Sequence, residues 1–199
     1  MAKNASNVRI FGSEDDAVWF QPKGAPKLTE ITEEMQNGQF PAPAVEVGYI
    51  EEGGIPMSLS TDATSIKAHQ GGAKVRVKNT STERTVQLAM LESNPLTWKI
   101  VQGVGEKDRR LLSSGVAEMH VKGSMPTVEG TLYVYAKDDA IEDENDIWYI
   151  WEIPLAQVSE REDSTIGVED VFSFGATMEI IGDLFVYTND PAILEGLAA

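Results

Sequence analysis

A long insertion between two short alternating runs constrains this chain more than any other feature. Residues 47–78 read VGYIEEGGIPMSLSTDATSIKAHQGGAKVRVK. At its start Val45, Val47 and Tyr49 alternate with Glu46, Gly48 and Ile50; at its close Val75 and Val77 alternate with Lys74, Arg76 and Lys78. Alternation sends the two sets to opposite faces of a sheet. The residues between, bracketed by Gly53-Gly54 and Gly71-Gly72, are too many for a tight hairpin turn. They nonetheless carry Ile55, Met57, Leu59 and Ile66, with His69 and Gln70 at the close. A loop that stays in water does not ordinarily alternate apolar with small polar residues. The pattern predicts that 53–72 form an arm ordered when another surface covers it.

The rest reads as strands around one short helix. A strand over 17–21 stops at Pro22. One or two helical turns follow over 28–35, with Thr29 as a cap. Strands over 74–78 and 84–91 are joined by a loop at 79–83. Lys74, Arg76 and Lys78 share one strand face, which reads either as a solvated face or as a basic contact for an acidic face on another subunit. Asn94-Pro95 opens the clearest helix: Asn94 caps it, Pro95 takes the first position, and Gly103 closes it in the left-handed conformation. Further strands are predicted over 116–121, 131–136, 147–151, 171–180 and 184–187, with 154–163 as loop or helical turn. Tyr133 and Tyr135 lie on one face and Leu132 and Val134 on the other; Trp148 and Ile150 oppose Tyr149 and Trp151. Two apolar faces argue for burial on one side by the core and on the other by a partner. The ends, 1–16 and 191–199, read as frayed termini or as docking arms, the first through Ile10 and Phe11 and the second through Ile193, Leu194 and Leu197. The body is then 17–190.

Charge narrows the function classes. Thirty-two acids against 16 bases leave a formal net charge of −16. Such a surface disfavours binding to nucleic-acid phosphates and anionic membranes. There is no cysteine, hence no disulfide framework and no thiolate metal site. The opening residues hold no apolar signal region, and no run reaches bilayer-spanning length, so synthesis in the cytoplasm is expected. No cofactor is expected: GVGEKD (103–108) lacks the third glycine of a dinucleotide fingerprint, and there is no Walker A sequence. His69 and His120 stand alone, Ser113-Ser114-Gly115 lacks a base, and Glu51 and Glu52 are adjacent and so point apart on a strand. No enzyme is therefore expected. The acidic run Asp138, Asp139, Glu142, Asp143, Glu144 and Asp146 is oxygen-rich, but it lacks the central glycine and closing glutamate of a calcium loop. It reads as a solvated hairpin tip or an acidic wall.

The order GYIEEGG, a polar run, IKAHQGG, a strand, then LAMLESNPLTWKIVQG resembles the major tail tube proteins of long-tailed bacteriophages, from about Ala17 to the C-terminus. His69 stands where that family often has tryptophan, and Ser93 where threonine is common. The resemblance implies a mainly β protein: an antiparallel β-sandwich or partly closed barrel with one short packed helix and long assembly arms. It implies self-assembly into stacked, hexameric rings that form a virion tail tube on a tape measure protein, capped by terminator and distal tail proteins. The genome would pass through without specific binding, and Asp138–Asp146 and Glu160–Asp163 would be candidate channel-wall acids. Two other readings stay open: a different tail component (terminator, hub or contractile-system tube), and a calcium- or carbohydrate-binding β-sandwich with Trp148, Tyr149 and Trp151 as stacking groups.

Overall fold

A computed structural model describes residues 7–22, 26–67, 69, 74–138, 146–168, 171–195 and 197. Ten strands and three α-helices follow in the order β1 (Ala17–Pro22), α1 (Glu33–Gln36), β2 (Val45–Glu46), β3 (Met57–Lys67), β4 (Lys74–Met90), α2 (Pro95–Gln102), β5 (Arg109–Leu111), β6 (Ala117–Met119), β7 (Glu129–Asp138), β8 (Ile147–Arg161), β9 (Phe174–Ile180), β10 (Phe185–Thr188) and α3 (Pro191–Leu194). The main sheet runs β2-β1-β7-β8-β9-β4-β3, with β10 also on β8, and every pairing is antiparallel. The fold is mainly β and the barrel does not close. A separate two-stranded sheet pairs β5 with β6.

The period-two pattern of β7 sets the layers. Leu132 and Val134 join the main core with Phe20, Leu88, Ile153 and Met178, and α2 closes that side through Leu96, Ile100 and Val101. The ends of α2 are as the sequence predicts. Asn94 accepts from the Leu96 and Thr97 amides, Pro95 occupies the first turn, and Gly103 sits at φ 66°. A side chain at Gly103 would also strike the Pro126 ring. Tyr133, Tyr135 and Ile150 point the other way, into a second core with Met35, Phe40 and Ala44.

That second core corrects an expectation. The other face of β7 and β8 is covered by the chain's own segment 26–44, not by a partner. Leu28 N–H donates to Glu152 Oε1 at 3.0 Å, Trp19 Nε1–H to the Gly38 carbonyl at 2.9 Å, and Tyr135 O–H to the Gln36 carbonyl at 2.8 Å. These bonds strap the segment across the sheet. Its helix is a single turn capped not by Thr29 but by Thr32, whose hydroxyl accepts from the Met35 amide.

Other boundaries shift for local reasons. Residues 79–83 are strand, not loop: the extra residue is absorbed by a register shift at Asp62/Ala63, and Thr80 and Ser81 hydroxyls donate to Asp62. Strand β8 runs on through Pro154, where a register shift against Gly130/Leu132 removes the need for a proline N–H. The alternation Val45-Val47-Tyr49 breaks after two strand residues. Val45 is exposed and Val47, just past the strand, is buried; Gly48 then turns the chain at φ 86° and Tyr49 is exposed.

Candidate assembly surfaces

The expected arm is a β-ribbon. Strand β3 pairs with β4 along its whole length, from Met57↔Val86 to Lys67↔Lys74. Strand β9 pairs only with Thr85–Met90 of β4. Beyond Thr85, β3 and β4 therefore have only each other among the described residues, and the ribbon extends about 35 Å from the sheet at the usual rise per residue. A two-stranded ribbon is marginal in water unless a third strand or another surface packs on it.

Both ribbon faces are open. Ile55 anchors the base against the main core. Register then places Met57, Leu59, Ala63 and Val77 on the face that continues from buried Val86, and Ile66, Arg76 and Lys78 on the other. Leu59 is 63% exposed, Ile66 57%, Val75 63% and Val77 57%. The shift at Ile66/Lys67 pairs Lys74 with Lys67, opposite in face to Arg76. So Lys74, Arg76 and Lys78 do not share one face; the bulged residue Val75 interrupts their alternation. His69 is exposed near the tip, and Gln70 lies outside the described residues.

The chain ends are fastened to the body, which corrects the reading of Ile10 and Phe11 as a pair reaching a neighbour. Phe11 packs edge-on against Tyr149 and Trp151, at ring distances of 5.6 and 6.0 Å. Tyr149 and Trp151 stack on each other, so this aromatic pair is covered by the chain itself and is no open sugar platform. Trp148 faces the opposite core. The Arg9 guanidinium forks onto Asp190 with two 2.7 Å bonds, Tyr149 O–H donates to the same carboxylate at 2.6 Å, and the Ala192 amide at 2.9 Å. The Arg9 bonds, with those from Tyr149 and Ala192, hold the Asp190 carboxyl well below the usual carboxylate range. Ile10 N–H donates to Asp138, leaving Ile10 itself exposed. Ile193, Leu194 and Leu197 remain exposed.

The acidic run divides. Asp138 is 1% exposed, inside the fold and not on a wall. Asp146 and Asp15 both bind the Lys137 ammonium, which is thereby raised above its ordinary range. Asp139, Glu142, Asp143 and Glu144 lie outside the described residues. Elsewhere a fully buried carboxylate, Glu152, was not singled out from the sequence. It accepts from Leu28 N–H and, at 2.7 Å, from Tyr187 O–H. Burial, then the bond to Glu152, pushes the Tyr187 phenol up; burial pushes Tyr133 up to about 12. These groups are structural: each holds the strap or β10 to the sheet. A cleft of about 550 Å³ between α2 and β5 is lined by Leu96, Val104, Lys99 and the Asp108–Lys122 ion pair. Among the described residues no three His, Asp or Glu side chains converge as metal ligands.

No curated protein matches the chain. A family model described as phage tail tube protein matches residues 1–185.

Proposed function

The chain belongs to the phage tail tube protein family, and from that premise we propose that its copies close into hexameric rings that stack into a tube, with the β3–β4 ribbon bridging to a neighbouring subunit. The role is structural and its place is the virion tail. The observation that carries the bridging reading is the ribbon: apolar side chains exposed on both faces, backbone paired on one side only, and none of the described residues of its own body upon it. Such an edge is an aggregation hazard in a free protein and an interface in an assembling one. A ring-to-ring contact joins unlike surfaces, so it propagates until a terminator caps it. Rings would grow in the host cytoplasm on a tape measure protein, and the genome would later pass through the channel.

Negative-stain microscopy of the purified protein across a concentration series tests this. Rings and tubes are expected as concentration rises; single subunits at every concentration would overturn it.

Acidity suits a conduit. Duplex DNA carries about one charge per 1.7 Å, and carboxylates repel it over a Debye length of about 8 Å. The exposed Glu160, Glu162 and Asp163 are the wall candidates among the described acids. Lysine at all three should leave tubes intact and slow DNA ejection; unchanged ejection kinetics would remove these residues from the wall.

A further inference from the structure

The ribbon is also the electrical opposite of the body that carries it. No Asp or Glu occurs between Asp62 and Glu83, a span that holds Lys67, Lys74, Arg76 and Lys78. No Lys or Arg occurs between Lys27 and Lys67, a span that includes Glu30, Glu33, Glu34 and Glu46. In a chain of net charge −16, an acid-free block therefore adjoins a base-free one.

The fold places these blocks on separate elements. Strands β3 and β4 finish the sheet order at one edge, while the strap bearing Glu30, Glu33 and Glu34 lies across β7 and β8 and leads into β2. All four cations and all four acids are exposed, and none of them makes an ion pair within the chain among the described residues. Other charges of this chain do pair internally, as Arg110 with Glu118 and Lys137 with Asp15 and Asp146. The ribbon even sets Lys67 directly across from Lys74. Like charges at facing positions destabilise a strand pair unless something neutralises them.

We propose that the ribbon tip of one copy docks on the acidic strap of a second copy, its cations, Lys67 and Lys74 on one face and Arg76 and Lys78 on the other, lying among Glu30, Glu33, Glu34 and Glu46. The contact is head to tail: the cationic ribbon of one copy meets the acidic strap of the next. Because the two patches differ, a copy engaged through its ribbon still offers its strap, and the contact repeats along the assembly. Complementary charge also fixes register, since a shifted or reversed approach sets like charge on like. The inference rests on the ribbon being an assembly arm and adds the surface that receives it.

Charge reversal in the full chain tests it. One variant carries Lys67→Glu, Arg76→Glu and Lys78→Glu; a second carries Glu30→Lys, Glu33→Lys and Glu34→Lys; a third carries all six. Thermal melts confirm folding, since every site is exposed, and pelleting with negative stain reads assembly. Each triple reversal is expected to raise the concentration needed for assembly about tenfold or more, and the six-fold reversal to return it close to the starting value, because only complementary faces survive. Assembly of the unsubstituted chain should weaken as salt is raised from about 0.15 to 1 M. A six-fold variant that stays as defective as the triples would overturn the pairing. So would triples that assemble normally while aspartate at Met57 and Leu59 blocks assembly, an outcome that keeps the ribbon as the arm and places its receiver elsewhere. If that aspartate variant assembles too, the arm reading itself has failed.

Discussion

Met57→Asp with Leu59→Asp should give a subunit that folds, stays soluble and forms no tubes. Both side chains lie on the ribbon face that runs on from the core, 40% and 63% exposed, so the isolated fold loses little when they change. The cost falls on the assembled state. Each contact would then trap two carboxylates where apolar groups are expected to meet. Burying such groups unpaired costs at least about 4 kcal/mol, which raises the concentration needed for polymerisation by roughly a thousandfold. Ile55 is not a fair site for the same change, because it packs against the core and aspartate there would unfold the base of the ribbon. A thermal melt matching the parent, with no pelletable material and no tubes in stain, is the expected pair of results. Tubes of ordinary length from this variant would remove the ribbon from the assembly contact.

The second large effect belongs to the carboxylate that fastens both ends of the chain. Asp190→Ala leaves Arg9, whose side chain is 11% exposed, without its fork partner and removes the acceptor for Tyr149 and the cap of α3. Breaking such a pair from one side is expected to cost about 3 kcal/mol, or about 6–12 °C in melting temperature for a chain of this size. The pH dependence has a definite sign. The folded carboxyl titrates below its unfolded value of about 3.9, so its contribution is complete above that pH and is lost as pH falls beneath it. The melting difference between parent and variant should therefore be constant from pH 5 to 8 and shrink below about pH 4. An Arg9→Ala, Asp190→Ala double variant should lose less than the sum of the two single losses. Additive losses, or a difference that does not change with pH, would show that the pair is not coupled.

Local physics made part of this molecule readable. The helix α2 is written in three residues, Asn94, Pro95 and Gly103, each of which acts on its own turn. The two faces of β7 are written in alternation, and the structure sends Leu132 and Val134 one way and Tyr133 and Tyr135 the other. What alternation cannot say is what covers a face. Leu28, Met35 and Phe40 lie in a Pro- and Gly-punctuated segment without a period, so nothing local marks them as the lid of the tyrosine face. The sequence pattern alone left that face to a partner.

Distance along the chain hid the rest. Arg9 and Asp190 meet across 181 residues, and a lone arginine in a polar terminus carries no sign of its acceptor. Residues 79–83 have the composition of a turn, and only their partner strand, with a bulge opposite Asp62, keeps them extended. In the arm the apolar alternation of 55–59 was a true strand signal. Its length, more than its pattern, suggested a loop. The proposed assembly surface was thus visible as a location, while its secondary structure and the true facing of Lys74 required the register.

The clasp at Asp190 has a practical corollary. Arg9 and the cap of the last helix touch the same side chain, so the segments around Arg9 and Ala192 lie side by side. Peptides inserted beside Val8 or beside Ala192 would be presented at one spot on every copy, repeating along any filament built from them. A linker could join the segments at Val8 and Ala192, and fresh ends could be cut at the exposed turn Ser113-Ser114-Gly115, leaving the sheet order untouched while freeing the junction for cargo.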